Sequence, residues 1–359
     1  MIVYWLMFLI PVFALYSPIR VDAVFRRIMF LFFGLLFVIL IGLRHEVGGD
    51  WVPYIEIFHE AKRIYSVDNL LFIAVNNDFG YVVLNYYVNK LGGDIYLVNL
   101  ICALIFVYGV WRFAFLQPNP WLVLIISIPF LTHIVAMGYT RQAVAVGFIF
   151  VAIANLQQQK NLWFWIQIFL AAIFYKIAAV FILLGILQSK SIGKGVKIVI
   201  LLLSSVILFI ILQTKLGNFY NSYIALSETG EQFMVSAGAI PRVLMNVIPA
   251  TILLLYLKGL QIDENIKRLF ILMSLAILIT FPLVFWRSTP IDRIHIFLTP
   301  VQLLVFSRLS LLTIKPYLKQ VLVLGVVLSY AAVLFVWFNF ARTLHAWIPY
   351  DNLLMHIGY

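Results

Sequence analysis

The sequence is poor in charge and almost without cysteine: Asp, Glu, Lys and Arg make up 11% of its 359 residues, and Cys102 is its single cysteine. One cysteine excludes an intramolecular disulfide, and no Cys or His residues fall at the spacing of a zinc ligand set. The basic residues are scattered over short loops instead of gathered in a soluble basic domain, which argues against nucleic acid as a partner. Internal repeats, low-complexity linkers and soluble domains are all missing. A transmembrane β-barrel is also excluded. It needs segments of about ten residues alternating apolar with polar, whereas 30–43 and 198–212 are apolar on every face.

What the chain has instead is hydrophobic length. Some 64% of its residues are hydrophobic and the mean hydropathy is +1.05, so runs long enough to cross lipid recur along it. The fold class this implies is an all-α, polytopic integral membrane protein of about 12 transmembrane helices, some short or broken. The segments lie near residues 2–16, 24–43, 95–115, 121–137, 140–156, 162–175, 177–188, 197–213, 242–258, 268–286, 293–310 and 320–340. Segment 2–16 lacks the basic residues that precede a secretory signal core, and Arg20, Arg26 and Arg27 follow it. It is expected to remain as a span.

Cations in cytoplasmic loops set orientation. Arg20, Arg26, Arg27, Arg112, Lys160, Lys190, Lys194, Lys197, Lys258, Lys267, Arg268, Arg308, Lys315 and Lys319 fall on one side. Loops 44–94 and 214–241 and the tail 341–359 fall on the other, with amphipathic helices expected in the loops and both termini outside. Parity requires 162–188 to cross twice, as two short helices meeting near Tyr175-Lys176, an arrangement tolerated where protein or a water-filled cavity shields it. The whole chain, 1–359, reads as a single membrane unit, and its net charge of +11 suits an anionic inner leaflet.

Seven arginines then gather on the outward side: Arg44, Arg63, Arg141, Arg242, Arg287, Arg293 and Arg342. Ionisable groups at membrane depth are costly and mark functional candidates. Arg141 and Arg242 open spans, where free N–H groups and the helix dipole already favour anions. Guanidinium forks bind phosphate oxygens bidentately and keep their charge, so the set points to a diphosphate or polyanionic ligand. Asp50 reads either as the cap of the amphipathic helix 51–61 or as a site carboxylate facing Arg44. Asp292 reads as a partner of Arg293 or Arg287, or as a base beside His295. Trp347 and Tyr350 suit an interfacial aromatic belt or stacking on sugar rings.

At these residues the chain resembles the EpsG-type bacterial exopolysaccharide polymerases, related to the Wzy O-antigen polymerases. The resemblance rests on Arg44-x-x-x-Gly48-Gly49-Asp50-x-x-x-Tyr54, Phe79-Gly80-Tyr81-x-x-Leu84-Asn85, Arg141 at a span start, Gly238-x-x-x-Arg242, Asp292-Arg293 and Trp347-x-Pro349-Tyr350. It covers nearly the whole length. One departure is Tyr175-Lys176, where members often carry a histidine. Lys176 supplies a cation there, but not proton chemistry at neutral pH unless burial lowers its pKa.

The resemblance implies a metal-independent glycosyltransferase without cofactor in the bacterial inner membrane, joining polyprenyl-diphosphate-linked oligosaccharide repeat units at the periplasmic face. It also implies a chain-length regulator and a flippase of the same pathway as partners. Arg141, Arg242, Arg287 and Arg293 are then expected to hold the diphosphate, with Lys176 and Arg342 as further cations and Arg44 in the same or a supporting role. The expected base is Asp50, then Asp292, then His295. Trp51, Tyr54, Phe58, Tyr65, Tyr220 and Tyr223 are expected to offer stacking faces to sugars. An O-antigen ligase would use similar arginines. A flippase would need charges lining a path at both faces and repeat-related halves.

Overall fold

The structure, a computed structural model, describes residues 1–17, 22–190, 192–199, 238–286 and 288–356. Among these residues there are helices and no strands, apart from one isolated antiparallel bridge between Arg44 and Asn352. The helices are α1 (Ile2–Tyr16), α2 (Ala23–Gly42), α3 (Trp51–Lys62), α4 (Val67–Asn76), α5 (Phe79–Lys90), α6 (Ile95–Phe115), α7 (Pro120–Ser127), α8 (Thr140–Gln157), α9 (Asn161–Phe174), α10 (Val180–Gln188), α11 (Ala239–Leu255), α12 (Glu264–Thr280), α13 (Ser288–Leu298), α14 (Pro300–Ser307) and α15 (Pro316–Phe340). A wide π-helical stretch, Ile128–Ala136, continues α7, and a 3₁₀ turn, Lys176–Ala179, precedes α10.

Five of these helices are long and apolar enough to cross a membrane, or six if α13 and α14, bent by 45° at Thr299, form one span. Among the described residues the expected number of about twelve is not confirmed. Ile2–Tyr16, Pro120–Ala136, Asn161–Phe174, Lys176–Gln188 and Ala239–Leu255 are shorter apolar helices of 10–17 residues, and at 1.5 Å per residue such lengths fall short of a hydrocarbon core about 30 Å thick. The expected segment 197–213 lies almost wholly outside the described residues. The apolar pattern therefore locates segments without telling full spans from partial ones.

At the centre stands α8, 83% of which is buried, against 28% of the most apolar 18-residue stretch of α15, whose outer face is left to lipid. Composition explains the difference. Ala143, Ala145, Gly147, Ala152 and Ala154 keep α8 slim, and small residues let helix backbones approach where no water is expelled to drive packing. The closest approach is to α6: a β-carbon on Gly147 would lie 2.7 Å from the Ile105 carbonyl oxygen, and one on Gly109 would lie 2.2 Å from that of Gly147.

The two ends of the bundle differ in chemistry. At one end Arg112 donates to Asn155 and Gln158, Arg308 donates to Gln117 and to the Gln261 carbonyl, and Asn265 donates to the Gln157 carbonyl. A cavity of about 1780 Å³ opens at that end, with Arg26, Arg27, Arg112 and Lys160 in its walls. These are cations that the loop pattern assigns to the cytoplasm. The other end gathers the C-terminus of α2, helices α3 to α5, the N-termini of α8 and α11, and the tail after α15.

The tight α6–α8 contact is testable. Gly147→Ala is expected to lower stability by about 1–3 kcal/mol, the usual cost of overpacking, and so to lower the melting temperature in detergent. Gly325→Ala, with nothing within 4 Å, serves as the control. Equal melting of both variants with the parent protein would show that the two backbones have room to part.

Candidate functional site

Arg44 follows Leu43, the residue that caps the end of α2, and only 1% of it is exposed. Its Nη1 donates to the Ile41 carbonyl at 2.7 Å, its Nε to the Val47 carbonyl at 3.1 Å, and its Nη2 to Thr140 Oγ1 at 2.8 Å and to Asn99 Oδ1 at 3.5 Å. No carboxylate takes part. The guanidinium is spent on fixing the loop after α2 against α6 and the first residue of α8. Among the described arginines named from sequence it is the one turned inward, bonded to its own loop, α6 and α8 and not facing a cavity with Asp50.

The tail closes over the same loop. Gly48 N–H donates to the Ala346 carbonyl, His45 N–H to that of Asp351, and the Leu353 N–H to that of Leu43. Trp347, 2% exposed, sends its indole N–H to the His133 carbonyl. Trp347 is thus a buried plug, neither an interfacial belt residue nor a platform for sugar. Gly48 is required beneath this strap. Its φ of +115° is a conformation L residues avoid, and a β-carbon there would lie 2.2 Å from the Met137 carbonyl oxygen.

On this base the outward face assembles two ion pairs. Arg141, next to Thr140, places Nη1 3.0 Å from Asp78 Oδ2, while the other Asp78 oxygen accepts the Lys176 backbone N–H at 3.1 Å. One carboxylate, 3% exposed, therefore ties α5, the start of α8 and the break between α9 and α10. That break falls at Tyr175-Lys176, where sequence placed it. α9 leaves from the far end of α8 and reaches Asp78 after 14 residues, about 21 Å. The Lys176 side chain stays exposed. The second pair is bidentate: Arg242 Nε to Asp292 Oδ1 at 2.8 Å and Nη2 to Oδ2 at 2.6 Å, with the guanidinium over the Phe130 ring. Asp292 thus pairs across helices with Arg242, not with its neighbour Arg293.

The pairs share one region. The charges of Arg141 and Arg293 both act on the Asp50 carboxyl, which burial raises above the usual carboxylate range. The charges of Asp50, Arg242, Asp292 and Arg293 act on Tyr139, and those of Arg293, Asp78 and Arg141 on Tyr175. Five chain segments thus bring Asp50, Asp78, Arg141, Arg242, Asp292 and Arg293 to one place. Arg293 is exposed and Asp50 half-buried. Asp50 precedes α3 without capping it through its side chain.

Other expected residues stand elsewhere. Tyr54 is 2% exposed, lies beneath the Arg141 guanidinium and accepts its backbone N–H, so it positions Arg141 instead of offering a face to sugar. Trp51 and Phe58 are buried with it, and Tyr65 alone of the described stacking candidates is exposed. His295 is 2% exposed, and both its ring nitrogens are engaged, Nδ1 with Asn246 and Nε2 with Thr280. Arg63 and Arg342 are exposed. Arg287, Tyr220 and Tyr223 lie outside the described residues, as does nearly all of loop 214–241. Asp78 escaped sequence reasoning. Its signal was slight: an aspartate just before Phe79-Gly80-Tyr81 looks like a helix cap, yet its side chain caps nothing.

Comparison with known proteins follows from these residues. The EpsG family matches residues 27–352, a range that runs from the start of α2 to the tail strap and includes both ion pairs. The chain belongs to the EpsG family. No curated protein and no solved structure matches it. The family is one of glycosyltransferase-like polysaccharide polymerases, and with the apolar helices it implies a bacterial membrane location for this EpsG-family chain.

The inward and outward arginines are expected to separate by experiment. Arg44→Ala removes four hydrogen bonds from a buried charged donor and is expected to cost on the order of 3–5 kcal/mol. Arg293→Ala, on an exposed side chain, is expected to stay within about 0.5 kcal/mol. Thermal unfolding in detergent reads both, and a neutral Arg44→Ala would refute the structural role given to that residue.

Proposed function

We propose that this EpsG-family chain is a polysaccharide polymerase joining polyprenyl-diphosphate-linked oligosaccharide repeat units at the periplasmic face of the bacterial inner membrane, with both termini on that side. The observation that carries this reading is that the charges of Arg141 and Arg293 act on the half-buried Asp50, while those of Asp50, Arg242 and Arg293 act together on Tyr139. A diphosphate leaves with its electron pair, and preorganised cations in a poorly solvated site stabilise the charge it develops. Arginines do this without a metal. Arg293, exposed beside Asp50, is the first contact for the diphosphate, and Arg141 and Arg242 complete the cradle. The exposed Lys176 extends it.

The acceptor hydroxyl needs a base. Asp50 takes that role, because its carboxyl is raised toward neutrality by burial and a base works best when its pKa approaches the working pH. Asp292 has both oxygens on Arg242 and His295 has both nitrogens engaged, so these two hold the frame. The exchange then balances. The sugar–diphosphate bond breaks with its electrons on the diphosphate, the acceptor oxygen bonds to the anomeric carbon, and the hydroxyl proton goes to Asp50.

A transporter reading draws on the cations at both ends of the bundle, here the outward cluster and the basic walls of the cavity at the far end. Between them, however, Phe37, Phe106, Phe113 and Phe150 are fully buried in a filled core, which favours the polymerase. A ligase would use the same cradle with a different acceptor.

Purified protein supplied with its host's polyprenyl-diphosphate repeat unit is expected to form a product ladder on a gel, with no gain in rate on adding Mg2+. Arg293→Ala and Arg242→Ala are expected to lower the rate by about 10²-fold or more, and Asp50→Asn by about 10²- to 10⁴-fold. A full ladder from Arg293→Ala and Arg242→Ala, or translocation of the lipid across proteoliposomes without a ladder, would sink this reading.

A further inference from the structure

Away from the arginines, two distant segments of chain bring three potential metal ligands together. His45 follows Arg44 on the loop after α2, while Asp351 and His356 come from the tail. One ligating nitrogen of each histidine and one carboxylate oxygen of Asp351 all lie within 4.8 Å of one another. His356 Nε2 is 2.8 Å from Asp351 Oδ2, and the two imidazole rings are edge to face with centroids 5.1 Å apart. The Tyr96 hydroxyl, at the start of α6, hydrogen-bonds His45 Nδ1 at 2.5 Å, a contact of the kind that fixes the orientation of a ligating imidazole.

Two imidazoles and a carboxylate are borderline donors suited to zinc. A tetrahedral zinc ion with bonds near 2.0–2.2 Å sets its ligand atoms about 3.3–3.5 Å apart, so small side-chain rotations suffice. The surroundings favour a cation: besides Asp351, the charges of Glu46 and Asp94 also act on Tyr96. Asp351 and His356 are held close to His45 without any ion. The His45 N–H donates to the Asp351 carbonyl, Arg44 bridges Asn352, and the Leu353 N–H donates to Leu43. The backbone has therefore met most of the ordering cost of a site in which His45 lies 306 residues before Asp351 in sequence.

We propose that His45, Asp351 and His356 form a binding site for a divalent transition metal, zinc first, with water in the fourth position. The ion is a clasp. It joins the tail that carries Trp347 to the loop that carries Arg44 and Asp50, and its gain is tighter closure of the strap behind the site.

The test uses full-length protein in nanodiscs with its affinity tag removed, stripped with EDTA, exchanged into chelator-free buffer and titrated with Zn2+ against a chromophoric chelator. One Zn2+ per chain is expected, with an apparent melting temperature several degrees higher in Zn2+ and unchanged in Mg2+. His356→Ala and Asp351→Asn, both at the accessible tail, are expected to weaken binding by at least the roughly 10- to 100-fold that losing even an outer-shell partner costs, and to abolish the thermal shift. His59→Ala and His345→Ala, on exposed histidines, are expected to keep both. Failure of the parent protein to bind one equivalent, or binding that survives in His45→Ala/His356→Ala, overturns the proposal.

Discussion

The outward end of this protein depends on one buried guanidinium. Arg44 has no carboxylate partner, so its desolvation is offset only by carbonyl, hydroxyl and amide oxygens from the α2 C-terminus, its own loop, α6 and α8. A buried charge satisfied in this way leaves its neighbours little freedom, because any shift of Thr140 or Val47 strands a donor in a low-dielectric interior. Thr140 immediately precedes Arg141. The same bond that closes the loop after α2 therefore sets where the first site arginine emerges. The Arg44–Asn352 bridge extends the constraint to the tail.

The second layer is built from carboxylates. Asp78 joins Arg141 to the backbone at the α9–α10 break, and Asp292 grips Arg242 with both oxygens. Such pairs add little net stability when buried, but they aim guanidinium groups that would otherwise sample many rotamers. Three aspartates, Asp50, Asp78 and Asp292, lie among three arginines, and on the proposed reading an incoming diphosphate would compete with them. That competition would temper ground-state binding and leave more of the arginines' attraction for the charge that develops as the leaving group departs.

Much of this was legible in sequence, and the rest was hidden for definite reasons. Apolar runs revealed a helical membrane protein, and Tyr175-Lys176 marked a break because a lysine inside an apolar stretch has no place in lipid. Length was read less well, since partial and full spans share the same composition. Among the charges, Arg141, Arg242 and Asp292 stood out by position, but partner choice did not: Asp292 takes Arg242 from another helix over its neighbour Arg293, and no local pattern encodes that. Arg44 looked like its siblings, and only the fold shows it turned inward. Trp51, Tyr54 and Phe58 read as surface aromatics because an amphipathic helix shows its apolar stripe without naming what covers it, and here α5 and α6 do. His45 and His356, at opposite ends of the sequence, could not be paired from spacing.

The tail strap explains why so much polar structure lies behind the carboxylates and arginines proposed to do chemistry. Helix ends at a membrane surface leave carbonyls and N–H groups unpaired, and here the tail supplies partners for several at once, with Gly48, His45 and Leu43 each bonded to it. Trp347 then fills the space above Gly49 and Gly138 that these close approaches leave. Asp50 follows Gly49 directly, and its side chain makes no cap hydrogen bond to α3. On the proposed reading that leaves its oxygens for the proton of a sugar hydroxyl, a role that a purely structural helix cap would forbid.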